Sequence, residues 1–185
     1  MVNKFFITGR PGIGKTTCLL RIVDMLKKEN IELAGFTTTE VREEGRRIGF
    51  LLRDIKGRVS VWLARIGIRS RYRIGKYSVL VDEFEEFLSN NVLPEVEKAR
   101  VIVIDEIGPM ELLSKTFREF IAYVIPSPKP LVATLHIRAR RNAFIDRLMR
   151  SIKYEIYTLT FENRNRVPTV VFGRLRELLR TESFQ

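Results

Sequence analysis

Residues 9–16 read Gly9-Arg10-Pro11-Gly12-Ile13-Gly14-Lys15-Thr16. The octet fits G-x-x-x-x-G-K-[ST] without a gap, and its flanks supply the context that the motif requires. Before it lies a short apolar run, Lys4–Thr8 (KFFIT), which reads as a buried strand. After it, Lys15–Lys28 carries Leu19, Leu20, Ile22, Val23 and Leu26 at helical spacing. Glycines at 9, 12 and 14 let the backbone curl until successive N–H groups face one anion. The helix beginning near Lys15 adds its unpaired N–H groups and the positive end of its dipole. Lys15 is long enough to reach β- and γ-phosphates as a point charge, and the Thr16 hydroxyl is a hard oxygen ligand suited to Mg²⁺. Thr17 lies within reach of an α-phosphate.

Outward from this loop the chain alternates β-rich runs with helical stretches, the mark of an α/β fold with a mostly parallel central sheet flanked by helices. Leu33–Thr39 reads as a second strand. Arg47–Asp54 and Arg58–Ala64 are β-rich runs separated by Ile-Lys-Gly, which suggests an antiparallel β-hairpin excursion on the edge of the sheet or beside it. Tyr77–Val81 is another short strand, and Asp82–Ala99 is helical with an interruption near Pro94. Arg100–Asp105 (RVIVID) is nearly continuous in apolar residues, as a parallel strand covered on both faces must be. A helix near Lys115–Val124, a strand Leu131–His136, a helix near Ala139–Ser151, a strand Glu155–Leu159 and a last helix near Thr169–Arg180 follow. No repeat or linker divides the 185 residues, so the expectation is a single P-loop NTPase domain over residues 1–185.

A triphosphate site needs an acidic group opposite the loop to hold Mg²⁺. Asp105 ends the apolar strand at the carboxyl edge of the sheet, where ligands bind in open α/β folds, and it is the Walker B aspartate of this chain. Glu106, directly after it, can orient or deprotonate the water in line with the γ-phosphate; its plainer reading is an exposed acid capping the loop. Lys15 and Glu106 are thus the candidate catalytic residues, and Thr16 and Asp105 the candidate metal ligands. Thr134 and His136 end a strand near the γ-phosphate position and are candidate sensors, although a lone histidine is more often structural. Thr160 suits a helix cap, while Asn163 and Arg164 could reach the nucleotide. The single cysteine, Cys18, excludes an internal disulfide and reads as a small core residue rather than a nucleophile.

The formal net charge is +11. It is unevenly spread, with seven basic and no acidic residues from Lys56 to Lys76, and six acidic and no basic ones from Asp82 to Glu97. Such blocks are usually solvated faces, but Trp62, Tyr72 and Tyr77 within or beside the basic one leave nucleic acid as a candidate partner. No apolar run approaches the ~20 residues that span a bilayer, and the N-terminus lacks the regions of a signal peptide. The expectation is therefore a cytoplasmic chain with no membrane partner, and a monomer by default. A 30% charged fraction with a single Gln and a single Cys also suits a thermophilic source.

Four stretches together resemble the small nucleoside-triphosphatases first known from thermophiles, which have a human cancer-related relative. They are Gly9–Thr17 (GRPGIGKTT), Gly35–Phe50 (GFTTTEVREEGRRIGF), Val103–Leu112 (VIDEIGPMEL) and Phe161–Arg164 (FENR). The second stretch is the specific one. The resemblance implies a RecA-like domain in which another strand separates the phosphate-loop strand from the Walker B strand. It implies hydrolysis of ATP, GTP and other nucleoside triphosphates to diphosphate and phosphate with little base selectivity. It also implies that Gly9, Arg10, Pro11, Gly12, Ile13, Gly14, Lys15 and Thr16, with Val103, Ile104, Asp105, Glu106, Ile107, Gly108, Pro109 and Met110, form the nucleotide site. Glu40, Arg42, Arg46 and Arg47 belong to the family's second motif; an arginine there could neutralise charge on the transferred phosphoryl group or simply form a surface ion pair. This chain departs from the family at Arg10, at Thr134-Leu135-His136 in place of Thr-Ile-Pro, and in the arginine-rich Ser60–Lys76. Two other functions compete with the hydrolase: a kinase for a small acceptor, and a nucleic-acid-binding ATPase. Glu106 next to Asp105 favours water as the acceptor.

Overall fold

In the computed structural model, which describes residues 2–182, the apolar runs become the strands of one nine-stranded sheet. In chain order the first half contains β1 (Lys4–Thr8), α1 (Lys15–Lys28), β2 (Leu33–Glu43), β3 (Arg46–Asp54), β4 (Ser60–Arg65), β5 (Tyr72–Ile74) and β6 (Tyr77–Val79). Next come α2 (Val81–Phe87), a π-helical turn Leu88–Val92, α3 (Leu93–Val96) and β7 (Val101–Ile107). A 3-10 turn Glu111–Leu113, α4 (Lys115–Val124), β8 (Leu131–Leu135), a 3-10 turn Ala139–Arg141, α5 (Ala143–Arg150), β9 (Glu155–Thr158) and α6 (Val167–Glu182) complete the chain.

The strand order is β5-β6-β4-β3-β2-β7-β8-β1-β9. β8 therefore lies between β1 and β7, the separation that the resemblance implies. The sheet is mixed rather than mostly parallel: four strand pairings are parallel and four antiparallel. The antiparallel half is also larger than a hairpin and continuous with the rest, because β2 runs to Glu43, past the expected end at Thr39. Its first residues pair parallel with β7, and its later ones pair antiparallel with β3. Glu44 and Gly45, with φ of 48° and 75°, make the left-handed two-residue turn that closes the β2–β3 hairpin.

Alternation along the strands divides the core into two layers. Phe5, Ile7, Val101, Val103 and Val132 pack under α1 and α6, while Phe6, Ile102, Ile104 and Ala133 face the side of α2, α4 and α5. α1 buries Cys18, Leu19, Ile22, Val23 and Leu26, and leaves Leu20 exposed. Gly35 has φ of 130°, and a Cβ on it would lie 1.7 Å from the Val103 carbonyl, so only glycine lets β2 approach β7 here. Ser114 caps α4 by accepting from the Phe117 N–H, and Asn142 caps α5 by accepting from Phe144 and Ile145. Asn142 also ends the 3-10 turn, which splits the helix expected over Ala139–Ser151. No helix of the described residues is long and apolar enough to cross a membrane.

Candidate active site

The phosphate loop spans the gap between β1 and α1 at the carboxyl edge of the parallel strands. Gly14 takes the N-cap position of α1 in a left-handed conformation, φ 106°. Among the described residues no side chain caps this end, and the first turn holds no acid, so the N–H groups of the loop are left for an anion. Gly9 is hemmed in: a Cβ there would lie 3.0 Å from Ile13 Cγ2 and 3.2 Å from the Leu159 carbonyl. Ile13 anchors the loop in the core, whereas Arg10, Pro11, Gly12 and Thr17 are exposed. Lys15 folds back over the loop, its Nζ 3.4 Å from the Gly9 carbonyl oxygen.

Opposite the loop, the register of β7 with β8 slips between Ile104 and Ile107, so that Asp105 and Glu106 together face one residue of β8. Such a bulge re-aims side chains at the end of a strand. Asp105 is 1% exposed. Its Oδ1 accepts from the Thr134 hydroxyl at 2.6 Å and its Oδ2 from the Thr38 N–H at 3.3 Å. Burial pushes the Asp105 carboxyl above the ordinary range, against the hydrogen bonds of Thr134, Thr16 and Thr38 and the charge of Lys15. The Thr38 hydroxyl also donates to the Asp105 carbonyl. Thr16 on α1 lies close enough to Asp105 on β7 to hold its carboxyl down, although the two are far apart in sequence.

Glu106 is half-buried, and its Oε1 has no hydrogen-bond partner among the described residues. Burial raises its pKa to about 6, with Lys15 opposing the shift and Asp105 adding to it. Glu111, outside the expected site, lies beside both acids; burial first, then Glu106, raises its pKa to about 8. Its Oε2 would be 3.0 Å from a Cβ on Gly108, so that glycine makes room for the carboxyl. His136 sits across from Gly108, and its pKa is lowered by burial, Lys15 and Arg138; its Nδ1 accepts the Arg138 N–H at 3.1 Å. Val103, Ile104 and Ile107 are core residues of β7 rather than surface ones, and Pro109 and Met110 turn the chain away.

The remaining candidates divide. Thr134 reaches the site through Asp105. Arg42 and Arg47 both pair with Glu40, each at 2.5 Å, on the part of the hairpin that projects beyond the carboxyl edge, and Arg46 is exposed at the start of β3. Arg164 stacks on Phe161 on the other flank of the loop. Sequence reasoning missed Thr38 and Glu111. Thr38 acts partly through a backbone N–H, for which its residue type carries no signal, and Glu111 becomes notable only through its burial. Cys18 is buried, and desolvation pushes its thiol to about 12, which suits a core residue and not a nucleophile.

The profile of the NTPase family matches residues 4–172. The chain belongs to this family. Among its relatives, the nucleoside-triphosphatase THEP1 of Thermofilum pendens is 40% identical over 177 residues, covering 96% of this chain and 97% of that protein. THEP1 of Methanocaldococcus jannaschii is 39% identical over 172 residues, or 93% and 96% of the two chains. The crystal structure of THEP1 from the hyperthermophile Aquifex aeolicus is similar with a TM-score of 0.79 at 34% identity, over 93% of this chain and 98% of that one. The solution structure of a human cancer-related nucleoside triphosphatase is similar with a TM-score of 0.80 at 30% identity, over 95% and 98%. The NTPase family match thus spans the phosphate loop, the β7 acids and the 160–164 segment alike.

Proposed function

We propose that this chain is a P-loop, RecA-like enzyme that hydrolyses nucleoside triphosphates to diphosphate and phosphate, with Mg²⁺ and with little selectivity for the base. The observation that carries the reading is the buried Asp105 carboxyl, held by Thr134 and Thr38 opposite the uncapped phosphate loop, with the unpartnered Oε1 of Glu106 next to it. The names of the relatives supply the class of reaction.

Thr16 and Asp105 present a hydroxyl and a buried carboxylate, the hard oxygen donors that suit Mg²⁺, and these two residues would hold it. When bound, the ion offsets charge on the phosphoryl oxygens. The loop amides fix the phosphates, and Lys15, released from the Gly9 carbonyl, follows charge onto the β- and γ-phosphates. Glu106 has one oxygen with no protein partner, so it is free to accept a hydrogen bond from a water in line with the γ-phosphorus. The water's oxygen bonds to that phosphorus as its bond to the β-bridging oxygen breaks, the diphosphate leaves, and the water's proton passes to Glu106. A pKa of about 6 leaves Glu106 ionised at neutral pH and keeps it basic enough to take that proton.

Glu106→Gln keeps the shape and loses the base. Single-turnover phosphate release should fall ~100- to 10,000-fold while Mg·ATP still binds, because the loop, Lys15, Thr16 and Asp105 are untouched. In the wild type, the rate should decline as pH drops through about 6, where Glu106 gains a proton. Phosphate release from Glu106→Gln at the wild-type rate would reduce Glu106 to a structural acid. Lys15→Ala, as a control, should abolish turnover.

A further inference from the structure

Phe161 follows β9 with 57% of its surface exposed. Two guanidinium groups lie over its ring: that of Arg10, from the phosphate loop, at 4.8 Å from the centroid, and that of Arg164 at 4.9 Å. Among the described residues neither guanidinium forms a hydrogen bond or an ion pair; Arg10 contributes only to the field that lowers the Glu162 pKa. The segment that carries the ring is firmly tied. Leu159 N–H donates to the Thr8 carbonyl at 2.8 Å, Asn163 Nδ2 donates to the Thr158 carbonyl at 2.9 Å, and the Thr160 N–H donates to Asn163 Oδ1 at 2.8 Å. An exposed aromatic ring and two uncommitted cations are therefore fixed at one edge of an anion-binding loop.

The strand order gives this edge a meaning. Along β7-β8-β1-β9, the acids of β7 lie to one side of the loop and residues 160–164 to the other. Lys15 lies toward the acids, since its charge is felt at Asp105, Glu106 and His136. A triphosphate with its γ end at Lys15 and Glu106 must run its α-phosphate and nucleoside toward Arg10 and Phe161. We propose that Phe161, flanked by Arg10 and Arg164, is the stacking platform for the nucleobase, an inference that rests on the triphosphatase reading. An exposed cation–π contact is weaker than base–aromatic stacking, so the incoming base takes one face of the ring and moves Arg10 toward the phosphates. Every base has a π-face, so such a platform holds purines and pyrimidines alike without reading their edges. Base tolerance is then a property built into the site rather than the lack of a pocket.

The test is a binding one, in Mg²⁺, by calorimetry with the full chain. The probes are the β,γ-imido analogues of ATP, GTP and UTP, with inorganic tripolyphosphate as the probe that has no base. Phe161→Ala should weaken all three nucleotides about tenfold, within the range for loss of one stacked base. Tripolyphosphate affinity should move less than about twofold, and Phe161→Tyr should restore the nucleotides. Unchanged nucleotide affinity in Phe161→Ala, a parallel loss for tripolyphosphate, or a loss confined to one base would each overturn the platform. Because the readout is binding, failure of the wild type to hydrolyse bound nucleotide would defeat the triphosphatase reading while the Phe161 comparison still decides this one.

Discussion

Asp105, Glu106 and Glu111 are all carboxylic acids, and their surroundings give each a different character. Asp105 is buried but held by Thr134 and Thr38, with Thr16 beside it; Glu106 is half-buried with one orphaned oxygen; Glu111 is 5% exposed with two acidic neighbours. Glu111, at about 8, is neutral at pH 7. Its folded pKa lies above the ordinary 4.5, so the native chain holds its proton where the unfolded chain has lost it. The stability that this proton supplies is fully present below about 4.5 and is lost as pH rises through about 8. Glu111→Gln is neutral at every pH and should remove that loss. Its melting temperature should exceed the wild-type value at pH 9 and match it near pH 4, with a stability difference at pH 9 on the order of a few kcal/mol. A constant offset between the two proteins across that window would mean that Glu111 is ionised in the fold. The spacing of Lys15, Thr16 and Asp105 was legible in the chain because their backbone context is local. The roles of Thr38 and Glu111 were not, since both depend on what the fold brings beside them.

At the scale of elements, strands with apolar runs and helices with a glycine or serine at the N-terminal boundary were legible to within a few residues, as β1, α1, β7 and α4 show. The antiparallel half was read least completely. Glu40, Arg42 and Glu43 are charged and exposed around a half-buried Val41, so this stretch lacks an apolar run, and Glu44-Gly45 is a weaker hairpin signal than Asn-Gly or Asp-Gly. The extension matters to the site, because β2 delivers Thr38 to Asp105 and then carries Glu40 and its arginines beyond the sheet edge. Gly35 is the joint that allows it. Gly35→Ala would force a Cβ onto the Val103 carbonyl, at 1.7 Å, from a backbone conformation that alanine rarely adopts. It should cost at least ~3 kcal/mol, read as a lower denaturant midpoint, through strain and overpacking together. A midpoint within error of the wild type would show that β2 and β7 part easily, and that Thr38 is not rigidly placed.

At the scale of the molecule, the question is whether a charge of +11 means a polyanionic partner. The fold ties the basic block to the acidic one: Lys56 and Arg58 both pair with Glu95, at 2.7 and 3.2 Å, and Arg58 also pairs with Asp54. The aromatic side chains of the block are half-buried, unlike the exposed Phe161 ring. Trp62 is half-buried beneath Arg65, and Tyr77 packs edge-on against Phe50 with Lys76 above it. Five basic residues of the block are left for a partner, Arg65, Arg69, Arg71, Arg73 and Lys76, and Arg65 stands 4.0 Å from Glu43. Five contacts on a single strand give a log–log salt slope no steeper than about −3.5, so binding to RNA should be weak and nearly gone at physiological salt. Hydrolysis should be indifferent to RNA as well, because the block lies on the β4–β6 side of the sheet, across β3, β2, β7 and β8 from the phosphate loop. Fluorescence titration with a single-stranded RNA across 50–200 mM salt, together with phosphate release at each point, checks both statements. Tight binding at the upper salt with several-fold activation would require a path from this edge to the loop, and the β2–β3 hairpin, with Glu40 and Arg47 at the carboxyl edge, is the one element that joins the two.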